Sequence, residues 1–345
     1  MAARALVDGR WFGPTGIGRF AGEVVARLHG IDLLEGGLRR LHPLEPLWLS
    51  GVLAHRRPSA YLSPGFNPPR WSPVPFAFTI HDLIHLRFPA EATARRRAYY
   101  ELVVRPAAHR ARCVITVSEH SRRDILEWSG LPEERVVVVG CGVGACFRPA
   151  GPAGFLRRPY LFCVSNAFPH KNLPRLIAAF AHARLDDDLL LVLVTVPDRA
   201  LRRTVADLGI GDRVLFCGRV SDADLAALHR GAVASVCPSL FEGFGLPALE
   251  AMACGTPVVC SDRTSIPEVV GAAGLSVDPG AEESIAGGLE RIAADGALRA
   301  RLAREGLARA RAFSWDAVAA RVAGLLAAMS ASRDHGACRA LAGAS

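Results

Sequence analysis

Ser239-Leu-Phe-Glu242-Gly-Phe-Gly-Leu-Pro-Ala-Leu-Glu250-Ala-Met-Ala-Cys-Gly255-Thr-Pro257 reads as a strand end, a glycine-rich loop, a helix, a glycine stop and the approach to another strand. Pro247 suits a first helical turn and Gly255 the position just past a helix end. Gly243 and Gly245 let the backbone come close to a ligand, and the free N–H groups ahead of Pro247, those of Phe244, Gly245 and Leu246, suit an anion such as a diphosphate. Glu242 falls in the loop and Glu250 about one turn into the helix, so one carboxylate can reach a sugar's hydroxyls and the other a ribose. A purely structural reading is a tight turn with Glu250 favouring the helix dipole.

Upstream, Tyr160–Val164 reads as a buried strand, followed by the polar loop Ser165-Asn166-Ala-Phe-Pro-His170-Lys171-Asn172 and a helix with Pro174 in its first turn. Lys171 therefore sits just ahead of a helix N-terminus, where ammonium and dipole act together on phosphate. Of 41 basic residues it is the one lysine, and glutamine is absent. In a composition that writes arginine wherever arginine serves, a retained lysine is informative, because the two cations differ in hydration and hydrogen-bond geometry. The alternative is a solvated surface lysine.

Around these motifs strands and helices alternate. Strands at Ala5–Val7, Phe76–Ile80, Val114–Val117 and Val136–Val139 are separated by helices at Phe20–His29, Ala94–Arg110 and Ser121–Ser129. A second series runs from Tyr160 through Leu189–Val196, Val214–Cys217, Ala234–Cys237 and Pro257–Cys260. The glycine- and proline-rich stretch Gly140–Pro159 interrupts the alternation. The expectation is an α/β chain of two parallel-sheet domains, residues 1–153 and 154–312, with the site between them at the carboxyl ends of strands. Residues 30–75 are less legible, with only Pro46–Leu53 suggesting a short strand, and the tail from Ser330 is small and polar.

Three further features invite chemistry. Thr15-Gly16-Ile17-Gly18-Arg19-Phe20 is a glycine turn entering a helix, short of a full dinucleotide fingerprint. Thr79-Ile-His81-Asp82-Leu-Ile-His85 delivers His81 from a strand end; His81 and His85 share i,i+4 spacing but lack H-E-x-x-H, so a zinc site is not expected. Arg95-Arg96-Arg97-Ala-Tyr99-Tyr100, continuing through Arg105, Arg110 and Arg112, is a basic helix suited either to an anionic lipid surface or to a solvated charged face.

Composition excludes several classes. Across 345 residues half are hydrophobic and 21% charged, which excludes a disordered chain. The longest apolar run, Leu189–Val196, is far short of the roughly 20 residues of a membrane span. No signal-type segment opens the sequence, so a cytoplasmic chain is expected. Nine cysteines without a C-x-x-C pair read as reduced core residues. A net charge of +8 permits an anionic partner without choosing one.

Taken in order, these motifs resemble the retaining, nucleotide-sugar-dependent glycosyltransferases of family four, of the glycosyltransferase B fold. The resemblance covers nearly the whole chain. Its strongest part runs from Val220-Ser-Asp-Ala-Asp-Leu to Asp278-Pro, including the E-x7-E pair and Ile266-Pro-Glu-Val269. Asp8-Gly-Arg, Ile80-His-Asp-Leu, Val117-Ser-Glu-His-Ser121 and Phe313-Ser-Trp315 also look like that family. The resemblance implies two Rossmann-like domains facing each other across a cleft, with a helix 315–329 returning to the first. It implies that Lys171 holds the donor diphosphate, helped by Arg19, and that Glu250 holds the ribose. Glu242 would touch the transferred sugar, Ser165, Asn166, Phe244, Gly245 and Leu246 would line the donor, Gly16 and Gly18 would approach its phosphates, and His81 would contact sugar or leaving phosphate. The donor so implied is a nucleoside-diphosphate sugar, GDP-mannose before UDP-sugars, without metal or other cofactor. The acceptor would be a glycan or lipid-linked glycan, reached peripherally at the inner face of the membrane. Rival readings are a nucleotide-sugar binder without catalysis, a nucleic-acid-binding module, against which the scattered arginines and 7% aromatics speak, and a dehydrogenase lacking its G-x-G-x-x-G.

Overall fold

A computed structural model describes residues 4–88, 93–154 and 156–331. The chain divides into two compact units, one reaching to Gly142 and resuming at Ser314, the other Val143–Phe313.

The first unit is a six-stranded parallel sheet of β1 (Ala5–Asp8), β2 (Ile31–Leu34), β3 (Tyr61–Ser63), β4 (Phe76–Thr79), β5 (Cys113–Thr116) and β6 (Val136–Val138), in the order β2-β1-β3-β4-β5-β6. The second repeats the plan with β7 (Tyr160–Val164), β8 (Leu190–Val194), β9 (Val214–Phe216), β10 (Ala234–Cys237), β11 (Val258–Ser261) and β12 (Leu275–Val277), ordered β12-β11-β10-β7-β8-β9. Central strands such as β8 are buried along their whole length, which is why their sequences are continuously apolar. Both sheets reverse direction once, between β1 and β3 and between β7 and β10. Loops leaving the carboxyl ends of two such strands diverge to opposite faces and open a crevice.

Helix boundaries follow local chemistry. Thr15 caps the helix Gly16–Val25 by accepting the Gly18 N–H, so that helix starts before the expected Phe20. Gly255, at φ 79°, terminates the helix Leu246–Ala253 as its sequence predicts. The helix Trp315–Ala331 packs in the first unit on Gly16–Val25, with the Phe20 and Trp315 rings 6.1 Å apart. By length and composition Gly296–Ala331 could cross a membrane, but it is two helices, and the second buries Trp315, Val318, Val322, Leu325 and Met329.

Several expectations need correction. Pro46–Leu53 is no strand but part of the helix Glu45–Arg56, because Leu49 and Leu53, one turn apart, are its buried stripe. The strands β2, β3 and β12 are too short, at three or four residues each, for the sequence pattern to announce. Ala94–Arg110 is three pieces, Ala94–Tyr99, a π-helical turn Tyr100–Val104 and Arg105–Arg110, with Pro106 at the restart. The first division falls at Gly142, not 153, because the glycine-rich stretch is bound to the second unit. There Arg230 donates to the carbonyls of Arg148 and Pro152, and the Gly154 N–H to that of Ala227. Of the tail from Ser330, all beyond Ala331 lies outside the described residues.

Candidate active site

At the reversal of the second sheet, the loop after β7 and the loop after β10 are joined by three contacts. The Leu240 N–H donates to the His170 carbonyl at 2.7 Å. Asn172, at φ 62°, donates from Nδ2 to the carbonyl of Pro238 (3.0 Å), and beyond that loop also to the carbonyl of Pro279 after β12 (2.7 Å). Lys171 Nζ donates to Glu242 Oε1 at 2.6 Å, with the two side chains 16% and 13% exposed. The one lysine and the loop glutamate thus meet, although 70 residues of chain separate them.

Glu242 is held on every side but one. Its Oε1 also accepts the Ser239 hydroxyl (2.7 Å), its N–H donates to Thr264 Oγ1 (3.1 Å), and its carbonyl accepts the Ser265 hydroxyl (2.8 Å). Oε2 takes no hydrogen bond among the described residues and is its open acceptor. Burial alone would raise the Glu242 pKa, but the charge and hydrogen bond of Lys171, the Ser239 hydroxyl and nearby His170 outweigh it and hold the group below the ordinary carboxylate range. It is an anion at neutral pH.

Beyond Glu242 the chain climbs into the helix Leu246–Ala253 through Gly245, at φ 104°; a Cβ there would also stand 2.8 Å from Ile266 Cδ1. The N–H groups of Phe244, Gly245 and Leu246 are used in no hydrogen bond among the described residues, and Pro247 has none to give. Phe244 is seated edge-on against Phe313, ring centres 5.9 Å apart. Glu250, buried, follows on the same helix. Ser165 and Asn166 lie in the β7 loop, where the Ser165 hydroxyl donates to the Asn166 carbonyl and Asn166 Oδ1 accepts the Phe168 N–H. Asn172 is the asparagine that holds this loop to its neighbour.

The other four candidates, Gly16, Gly18, Arg19 and His81, belong to the first unit. Gly18 has an internal reason to be glycine, since a Cβ would collide with the Gly13 backbone, and its N–H is already given to Thr15. Gly16 faces open space. His81 donates Nε2–H to the Pro64 carbonyl at 2.9 Å, and burial pushes its pKa down to about 4. It is a neutral imidazole whose proton must sit on Nε2, leaving Nδ1 as acceptor.

Beneath these loops lies a polar network the motifs alone did not predict. Asp8 at the end of β1, Tyr61 at the start of β3, Asn67 in the loop after β3 and Glu45 at the start of the helix Glu45–Arg56 are all wholly buried. Arg10 bridges Asp8 (2.6 Å) and Glu45 (2.8 Å), while Asn67 Nδ2 donates to both carboxylates and the Tyr61 hydroxyl to Asp8. Despite Arg10, burial leaves the Glu45 pKa raised. The network fixes the turn that leads into Gly16–Val25.

Residues 7–145 match the family described as Glycosyltransferase Family 4, and residues 153–309 that described as Glycosyl transferases group 1. O-antigen chain mannosyltransferase B of Escherichia coli is 31% identical over 309 residues, covering 86% of this chain and 80% of that protein. The chain belongs to the family 4 glycosyltransferases. A second relative of this glycosyltransferase, the MMP alpha-(1->4)-mannosyltransferase of Mycolicibacterium hassiacum, is 35% identical over 262 residues, 71% of the chain but 63% of that protein's length. Sucrose-phosphate synthase from Thermosynechococcus elongatus superimposes with a TM-score of 0.74 over 93% of this chain and 98% of its own at 23% identity. Anabaena HepE in complex with UDP-glucose does so at 0.76 over 94% and 99% at 18% identity. At such identities these two structures establish the fold, which is glycosyltransferase B.

Proposed function

We propose that this glycosyltransferase moves a hexose, mannose from GDP-mannose being favoured, onto a glycan or lipid-linked glycan in polysaccharide assembly, in the cytoplasm at the inner face of the membrane. Transfer retains the anomeric configuration and uses no metal. The single observation that carries the reading is the Lys171–Glu242 pair beside the unused N–H groups of Phe244, Gly245 and Leu246, at the sheet reversal. The mannosyltransferase relatives support the sugar and the process.

The bond from the anomeric carbon to the diphosphate breaks, the acceptor oxygen bonds that carbon on the same face, and its proton passes to a leaving phosphate oxygen. What needs stabilising is negative charge growing on the diphosphate. Lys171 and the N–H groups supply it, and a dianionic phosphate competes with the Glu242 carboxylate for the ammonium. Glu242 Oε2 accepts a hydroxyl of the transferred sugar and Glu250 the ribose hydroxyls. His81, neutral and with Nδ1 as acceptor, is suited to a sugar hydroxyl; a phosphate oxygen would set acceptor against acceptor.

A screen of nucleoside-diphosphate sugars read by nucleoside diphosphate release, with the product anomer assigned by NMR and the assay repeated in chelator, tests this. Release from GDP-mannose, an α-linked product and no loss with chelator are expected. An inverted product or chelator-abolished turnover would overturn the mechanism, and release from no donor would overturn the transferase reading.

A further inference from the structure

A residue other than glycine in left-handed backbone needs a reason. Among the described residues four such residues have positive φ: Leu41, Arg57, Asn172 and Thr264. Arg57 closes the helix Glu45–Arg56, an ordinary place for that conformation, and asparagine tolerates it better than most residues. Thr264, at φ 59°, is the β-branched one of the four, and for a β-branched residue the conformation is a strained outlier. Glycine would make the same turn without the strain, and the chain uses it so at Gly245 and Gly255.

The turn is pinned on both flanks. Leaving β11, the Asp262 N–H donates to the Val277 carbonyl (3.0 Å) and the Arg263 N–H to the Ser261 hydroxyl (3.1 Å), while Arg263 pairs with Asp278 at 2.6 Å. On the other side begins the helix Ile266–Val270, in which Ile266 and Val269 are buried. Between these anchors three consecutive residues meet the Glu242 loop. Thr264 Oγ1 accepts the Glu242 N–H, the Ser265 hydroxyl donates to the Glu242 carbonyl, and Ile266 Cδ1 occupies the space in which Gly245 has no side chain. In extended backbone successive side chains diverge to opposite sides. Left-handed Thr264 followed by Ser265 in the right-handed helical region brings both hydroxyls to one residue. The main chain of Glu242 is thereby fixed at its N–H and its carbonyl, and with Oε1 held by Lys171 and Ser239 the direction of Oε2 follows.

We propose that Thr264 is a positioning residue for sugar transfer: its hydroxyl, carried on strained backbone, sets Glu242 so that Oε2 meets a hydroxyl of the transferred sugar. This role rests on the one proposed above for Glu242 and needs no contact between Thr264 and the donor. The strain is the consequence of placing a hydroxyl where the backbone alone favours glycine. A residue that served only the turn would rank its replacements in one order for stability and turnover alike. Thr264 should give two orders, because stability follows relief of strain and turnover follows possession of a hydroxyl.

Thr264→Ser, Thr264→Gly and Thr264→Val separate the two. Each is compared with wild type by denaturant unfolding, by turnover of GDP-mannose or whichever nucleoside-diphosphate sugar the donor screen selects, and by calorimetric titration with the matching nucleoside diphosphate. Thr264→Ser keeps the hydroxyl and should keep most of the turnover. Thr264→Gly and Thr264→Val should each lose kcat roughly tenfold, the upper range of one neutral hydrogen bond, with nucleoside diphosphate affinity within about twofold of wild type. Both lack the hydroxyl, yet Thr264→Gly should unfold at higher denaturant than Thr264→Val, since only the glycine variant is relieved of strain. Turnover as low in Thr264→Ser as in Thr264→Gly, or turnover that tracks the unfolding midpoint across the three variants, would overturn the proposal. So would a loss of nucleoside diphosphate affinity in proportion to kcat, which would make Thr264 part of donor binding. Full turnover in Thr264→Gly would overturn this role alone, whereas a wild type that releases nucleoside diphosphate from no donor would refute the transferase reading and this role with it.

Discussion

Removing Lys171 leaves Glu242 buried with its cation gone, and the consequence can be worked out from the geometry. The pair is more than four-fifths buried on both sides, so breaking it from the lysine side should cost about 3 kcal/mol, the low end for a buried pair. For a unit of this size that is roughly 6–12 °C of melting temperature. Glu242→Gln keeps an acceptor for Ser239 and Lys171 and should cost only about 1 kcal/mol. The double variant Lys171→Ala, Glu242→Gln should recover about 2 kcal/mol relative to Lys171→Ala alone. The pH dependence should also reverse. In the wild type the lowered Glu242 pKa contributes stability that is complete above the unfolded value of 4.5 and is lost as pH falls through the folded one. In Lys171→Ala burial dominates, the folded pKa lies above the unfolded one, and stability declines as pH rises. Denaturant unfolding of the four proteins at several pH values measures both effects. If the single lysine variant and the double variant were equally unstable at neutral pH, the pair would not be a coupled unit. Calorimetric titration of these proteins and of Lys171→Arg should show nucleoside diphosphate affinity abolished by Lys171→Ala and not fully restored by Lys171→Arg, whose planar fork replaces a point charge.

The two glutamates should separate in the same titration: Glu250→Ala weakens nucleoside diphosphate binding roughly ten- to a hundredfold, the range of one hydrogen bond involving a charged group, whereas Glu242→Gln lowers turnover and leaves that affinity equal or tighter. Equal losses would refute the division of roles. In the core of the second unit His229 is wholly buried, neither ring nitrogen has a hydrogen-bond partner among the described residues, and burial with the charge of Arg230 pushes its pKa down to about 3. The unfolded chain takes up a proton that the folded one refuses, so from pH 8 to pH 5 this group should cost about 2 kcal/mol of stability. His229→Phe, placed beside Phe162 and Phe147, should flatten the pH dependence by that amount, and an identical slope in variant and wild type would refute the assignment.

How much of this was legible depended on where each residue's partners lie. The β7 and β10 loops were readable because strand, glycine, proline and helix follow one another in the chain, and Lys171 stood out by composition. The segment between residues 30 and 75 hid its elements for physical reasons. Ile31–Leu34 is an edge strand with a ragged burial pattern, Tyr61–Ser63 is three residues closed by Pro64, and the helix Glu45–Arg56 lacks a side-chain cap and shows apolar groups on both faces. A short apolar run of that kind does not distinguish strand from helix by periodicity. Leu49 and Leu53 carried the helical spacing, but exposed Leu44 and Leu47 masked it. The bonds that join Glu242 to Thr264 and Ser265, and those that tie Asp8 and Arg10 to Glu45 and Asn67, link residues far apart in sequence, so no local pattern announces them. Asn172 left a trace as one of three asparagines, and its positive φ is a conformation that asparagine tolerates better than most residues.

The second unit interrupts the first, and where the chain leaves and re-enters, the two passages run side by side: the Val143 N–H donates to the Phe313 carbonyl, and Gly142 has no room for a side chain beside Trp315. During synthesis the residues from 143 to 313 emerge as one complete sheet and its helices, able to collapse at once. The interrupted unit has all six strands much earlier but not its last helix, so the side of Gly16–Val25 that carries Phe20 waits uncovered until Trp315–Ala331 has left the ribosome. The part of the chain made first is therefore the part finished last, and a ribosome stalled before residue 315 would hold one completed unit and one with an open apolar flank.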